Sequence, residues 1–199
     1  MSLRTLRISS ISNTAILAFL AASVLSGASD AALINFTWTG SGSATFAGNA
    51  FNGNYTITAV GDTDNRQIFD STTYWIEHTA PAQITLDGIG TFDFLFATRT
   101  RSVQFNAAAA FALGGQFGRD LAFGPIGQVS GWDMLTSFGP ASGTGSLIQW
   151  YGGVQTSGGL LRFDDQFNRP MTFEANVVPT PGVLALVGIA GLRGRRRRG

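Results

Sequence analysis

The chain contains no cysteine and no lysine. The first absence excludes disulfide frameworks, Cys-ligated zinc, iron–sulfur clusters, c-type haem attachment and thiol catalysis. The second excludes a P-loop lysine and Schiff-base chemistry. His78 is the one histidine, so a Ser-His-Asp arrangement has a single possible centre. No serine of the mature region sits in a Gly-x-Ser-x-Gly elbow. No Gly-x-Gly-x-x-Gly follows a strand and opens a helix, so no nucleotide cofactor is expected. Charged residues make up only 13% of the chain against 44% hydrophobic, which excludes a disordered, highly charged polymer.

What is abundant is glycine, 26 of 199 residues, and phenylalanine, 16 against 3 Tyr and 4 Trp. The length suits one domain. The formal charge of +1 hides an asymmetry. Between Ala32 and Val178 there are six Arg and eleven acidic residues, a net charge of −5. The remaining arginines crowd the two ends. An acidic, lysine-free domain is a poor partner for nucleic acid, because phosphate neutralisation supplies most of the non-specific affinity.

Residues 1–31 read as a secretory signal peptide. Arg4 and Arg7 form the positive region, Ala15 to Leu25 an eleven-residue apolar run, and Ser26 to Ala32 a small-residue exit, with cleavage expected after Ala28 or Ala31. The apolar run is too short for a membrane span. At the other end Val178, Pro179, Thr180 and Pro181 precede a short hydrophobic stretch. Its apolar residues are Val183, Leu184, Leu186, Val187, Ile189 and Leu192, and a basic cluster follows: Arg193, Arg195, Arg196, Arg197 and Arg198. Ten residues from Val183 to Leu192 reach about 15 Å as a helix, half the hydrocarbon thickness. The arginines are expected to stay on the cytoplasmic side.

This tail resembles the PEP-CTERM sorting signal of Gram-negative bacteria: a Val-Pro-Glu-Pro motif, a Leu/Gly/Ala-rich helix and a terminal Arg cluster. Val178, Pro179 and Pro181 match the motif, and Thr180 stands where the family has Glu. The resemblance covers about 22 residues of the chain. It implies export through the secretion translocon and transient residence in the inner membrane. It also implies processing by an exosortase-type enzyme and delivery to the cell surface or the extracellular, biofilm-type matrix.

The central region reads as an all-β domain spanning 32–177. Strands are predicted at Leu33–Thr39, Asn54–Val60, Thr72–Glu77, Gln83–Leu86, Gly90–Ala97, Arg99–Phe105, Leu147–Tyr151, Leu160–Phe163 and Met171–Val178 from period-two alternation and strand formers. Asp87-Gly88 predicts a type I′ hairpin. Gly/Ser/Asn/Asp clusters at 40–43, 48–54, 61–65, 114–118, 139–146 and 152–159 read as separators. Ala107–Leu113 fits either a short helix or a close-packed strand. The expected architecture is a β-sandwich or jelly roll of about eight short antiparallel strands. A signal-peptide helix and a C-terminal hydrophobic helix are expected to flank it.

Candidate chemistry is thin. Asp62, Asp64, Asn65 and Asp70 offer oxygens to a Ca²⁺ ion, but Arg66 breaks the EF-hand spacing, and a solvated turn accounts for the same residues. Glu77, Asp93 and Glu174 lie on predicted strands as possible hydrolase carboxylates. Trp75, Trp132, Trp150 and Tyr151 are possible platforms for an exopolysaccharide, with core packing the competing role. His78 is expected at a polar surface or turn. The function expected from these observations is an exported, non-catalytic surface or matrix protein. A carbohydrate-binding module is the alternative, and a glycan hydrolase a more distant one.

Overall fold

A computed structural model describes residues 32–69, 75–114 and 118–178. The signal-peptide and sorting-tail segments, both flanking helices and Asp70 lie outside the described residues. Within them the protein is all-β, apart from two single 3-10 turns at Thr63–Asn65 and Gln104–Asn106. No helix among the described residues is long and apolar enough to cross a membrane.

The frame is a hairpin of unusual length. Strand β1 (Leu33–Phe46) pairs with β2 (Asn49–Asp62) in unbroken register from Leu33↔Asp62 to Phe46↔Asn49. The connecting Ala47 and Gly48 both take positive φ, +48° and +83°, the backbone of a type I′ turn. The glycine clusters read as separators at 40–43 and 48–54 lie inside these strands instead. Gly40 and Gly42 occupy core-facing positions where a side chain has no room. A Cβ on Gly42 would sit 2.8 Å from Leu147 and 3.0 Å from Phe163.

The remaining strands are β3 (Gln67–Phe69), β4 (Trp75–Thr79), β5 (Ala82–Leu86), β6 (Gly90–Asp93), β7 (Thr98–Val103) and β8 (Ala108–Leu113), followed by β9 (Arg119–Phe123), β10 (Phe138–Leu147), β11 (Val154–Thr156), β12 (Gly159–Phe163) and β13 (Gln166–Val178). They form one antiparallel sheet in the order β3-β4-β7-β8-β9-β10-β13-β1-β2-β5-β6. The far half of β1 also pairs with β12, and β12 with β11. A bridge from Phe94 to Thr156 joins the end of β6 back to β11. The strands β1, β2, β5, β6, β11 and β12 thereby close into a hydrogen-bonded ring. The sheet curls so that its two halves face each other in a sandwich-like arrangement. Trp38 of β1 meets Phe111 of β8 at 5.7 Å between centroids and Phe173 of β13 at 4.9 Å.

Thirteen strands among the described residues replace the expected eight or so, and the three longest have 13 or 14 residues. The prediction failed mainly where glycine is structural. The segment 139–146, read as a separator, is most of β10. A Cβ on Gly145 would lie 2.8 Å from the Met171 sulfur and 2.9 Å from the Phe123 carbonyl, so close packing overrides its poor strand propensity. Val154–Thr156 within 152–159 is likewise a strand. Ala108–Leu113 is a strand buried on both faces, which explains its lack of period-two alternation. The predicted strand Leu147–Tyr151 ends at Leu147, because Gln149 turns to φ +58°. Gly90–Ala97 leaves the ladder after Asp93, so Phe94 is buried while Phe96 is 56% exposed. The turn at Asp87-Gly88 is a three-residue loop, with Leu86 opposite Gly90 and only Gly88 and Gly90 at positive φ. A type I′ turn would need Asp87 there too.

Ala47 in the left-handed region costs about 1 kcal/mol relative to a residue that tolerates it. Replacing Ala47 by Asn, the favoured partner of a following glycine, should raise stability by about 0.5–1 kcal/mol, read as a higher urea midpoint with unchanged slope.

Candidate functional site

The predicted residues do not converge on one place. Trp150 is fully buried, its Nε1–H donating to the Leu121 carbonyl at 2.8 Å and its ring packed edge-on against Phe163 at 4.9 Å. Trp132 is 6% exposed, stands edge-on to Phe36 at 6.3 Å and donates to the Thr136 carbonyl. Both are core residues. Trp75 is half-buried and stacked on Phe69 at 5.1 Å. Tyr151 alone of the four is widely open, at 63% exposure.

The acidic turn is committed to its own backbone. Asp62 caps the 3-10 turn, one carboxylate oxygen accepting the Asp64 N–H at 2.9 Å. The other lies at the limit of bonding to the Asn65 amide, 3.5 Å away. This is the solvated turn that Asp and Asn favour. No group of three or more His, Asp or Glu among the described residues could hold a metal ion.

Strand β4 carries Glu77 and His78, adjacent residues that point to opposite faces, and both are fully buried. Glu77 points outward from the core and sits opposite Arg101 of β7 in the ladder. Its Oε2 accepts from Arg101 Nε at 2.9 Å and from Trp75 Nε1 at 3.1 Å, and its Oε1 accepts from Arg99. Arg101 reaches on to Asp120 of β9 at 2.8 Å. Both Glu77 oxygens are therefore occupied. Glu174 and Asp93 do not approach it or each other. They stand on one cross-strand row with Thr37, Thr58 and Gln83 between them. Four strand spacings separate them by about 19 Å, well beyond the roughly 5–10 Å that glycoside hydrolysis uses.

His78 is a correction. It faces the core, not the surface, with ring contacts to Phe36 at 5.6 Å. Its Nδ1 meets the Asp62 carbonyl at 3.0 Å and its Nε2 the Met134 carbonyl at 3.3 Å. A neutral imidazole has one N–H for two carbonyl acceptors. Burial, helped by the Arg66 charge, nevertheless pulls its pKa below the ordinary histidine value, against the raising effect of those carbonyls. The residue ties β4 to the end of β2 and to the loop after Trp132.

One groove, of about 420 Å³, is lined mainly by apolar and glycine residues. Leu113, Gly114, Gly118, Gly152 and Gly153 form its floor and sides, with Phe96 and Leu160 as apolar walls and Gln155 and Arg119 as its polar groups. Arg119 lies over the Tyr151 ring, 4.8 Å from its centroid, and donates to the Tyr151 carbonyl. Arg119 belongs both to the groove lining and to the Tyr151 stack, so an exposed aromatic side chain stands beside an apolar hollow, an arrangement that can take a sugar ring. Sequence reasoning found Tyr151 but missed Arg119, Phe96 and the Gly152-Gly153 pair, which are brought together only by strand pairing.

Two measurements probe the buried polar residues. Replacing Arg101 by Leu strands Glu77 and Asp120 without their shared partner and should cost about 3–5 kcal/mol, read by urea unfolding. Because the folded-state pKa of His78 lies below its unfolded value, the unfolded chain binds the proton first as pH falls. Stability should therefore be fully present above the ordinary histidine pKa and decline below it, by at most about 1.4 kcal/mol per pH unit. The same titration of a His78→Gln protein should lack that decline.

No family model, curated protein or solved structure matches this chain.

Proposed function

We propose that this is an exported, non-catalytic surface or extracellular-matrix protein of a Gram-negative bacterium. In this reading the tail from Val178 onward is the sorting signal, recognised and processed by an exosortase-type enzyme, and the β domain, a sandwich or jelly roll, is the delivered part. The observation that supports it is the pairing of Leu33 with Val178. The junction with the signal peptide and the start of the sorting motif lie side by side at one end of β1 and β13. Removal of 1–31 and of Pro179 onward leaves every ladder among the described residues intact. Pro179 has no N–H to donate to a neighbouring strand, which suits a boundary between the paired domain and the motif.

A second reading, binding of exopolysaccharide, is favoured by the groove beside Tyr151 and Arg119, the one aromatic platform of the predicted set that is open to solvent.

Deleting Pro179–Gly199 tests the first reading. The full-length protein, recovered from its native host, should have an intact mass ending between Val178 and Gly182 and lie outside the inner membrane. The truncated protein should change location while keeping its thermal unfolding midpoint. Unchanged location, or protein retaining Arg195–Arg198 in the inner membrane, would overturn the sorting claim.

A further inference from the structure

Six neighbouring strands, in the order β10, β13, β1, β2, β5 and β6, each present a hydroxyl at the same level of the outer face. The residues are Ser142, Thr172, Thr39, Thr56, Thr85 and Thr91, and each is the ladder partner of the next. The intervening residues Trp38, Ile57, Ile84 and Phe173 are fully buried, so this row faces outward. Threonine suits exposed strand positions for its backbone preference alone, but that preference does not align six hydroxyls from six strands. The outer four pair off: Ser142 with Thr172 and Thr85 with Thr91, each at 2.8 Å. The central two, Thr39 and Thr56, make no side-chain hydrogen bond among the described residues. A polar hollow of about 440 Å³ opens over them, bordered by Ser41, Asn54, Asp87 and Thr172.

We propose that this row is a track for a single, neutral polysaccharide chain lying across the strands. The proposal shares the ligand class of the exopolysaccharide reading but places binding on a different surface from the Tyr151 groove. Hydroxyls donate and accept alike, which matches sugar hydroxyls of either orientation. They repeat at the strand spacing of about 4.8 Å, close to the advance of one pyranose unit in an extended glycan. The row spans about 24 Å, room for several sugars. Sheet twist rotates successive strands by about 20–25°, on the order of 100° along the row. A flat crystalline surface cannot follow that turn, whereas a single flexible chain can. Charge sets the class further. The adjacent row carries Glu174 and Asp93, and Asp87 borders the hollow. With no cation in either row, an anionic polymer is repelled and a neutral one is not.

Affinity electrophoresis of the whole protein through gels containing hydroxyethylcellulose, glucomannan or alginate tests this. A neutral gel should retard the protein and alginate should not. Thr39→Val/Thr56→Val keeps shape and strand preference, and should weaken the neutral-gel affinity about tenfold or more. Thr39→Ser/Thr56→Ser should restore it, and Tyr151→Ala should leave it within twofold. Thr85→Val/Thr91→Val, at the end of the row, gives the same readout if the central pair impairs folding. Equal retardation of the valine variants and the parent, no retardation in either neutral gel, or stronger retardation by alginate would each overturn the proposal. Loss of binding in Tyr151→Ala alone would overturn the track while leaving glycan binding, at the groove, intact. Export is read separately by fractionation.

Discussion

Rings seated in the glycine gaps of one long strand hold this protein together. The core face of β1 reads Ile34, Phe36, Trp38, Gly40, Gly42, Ala44, Phe46. Where the strand has no side chain, a ring from elsewhere lies against it. A Cβ on Gly40 would sit 2.7 Å from the Tyr55 hydroxyl, and one on Gly61 of β2 would sit 2.9 Å from Phe36. Interiors pack to crystal density with few voids, so large rings in a thin sheet-on-sheet core need partners with no side chain. Abundant glycine and abundant phenylalanine are two sides of that one constraint. It also lets β1 serve both ends of the molecule, pairing with β13 along its first half and β12 along its second.

The buried polar groups follow from the curl. Strand β4 belongs to the far half of the sheet and β5, two residues later, pairs with β2. At that crossing His78 reaches the carbonyls of Asp62 and Met134, groups that no ladder satisfies. On the other face of β4, Glu77 gathers Arg99, Arg101 and Trp75 above the alanine strand β8. Removing one partner from such a cluster costs more than forming it contributes, so these residues specify the arrangement more than they stabilise it.

What stays available lies on the outside. One surface is aromatic and apolar, beside Tyr151 and Arg119. The other is a twisted row of hydroxyls on the β10-to-β6 half. Leu33 and Val178, near the two ends of the described chain, are ladder partners.

The sequence by itself determined the class of the fold. Alternation in Leu33–Thr39, Asn54–Val60 and Met171–Val178 is local, so it survives without knowledge of partners. Signal-peptide and sorting-tail patterns are linear too. Strand ends, the extra strands and both surfaces were decided by tertiary structure. Gly40 and Gly145 look like turn residues until the ring or sulfur above them is known. Trp132 and Trp150 look like platforms until the sheet curls over them. The pattern Thr-x-Thr at 37–39 and 56–58 is visible along the chain, yet the row it joins exists only through cross-strand register. Register is fixed by which faces are buried, and burial is a property of the assembled sheet.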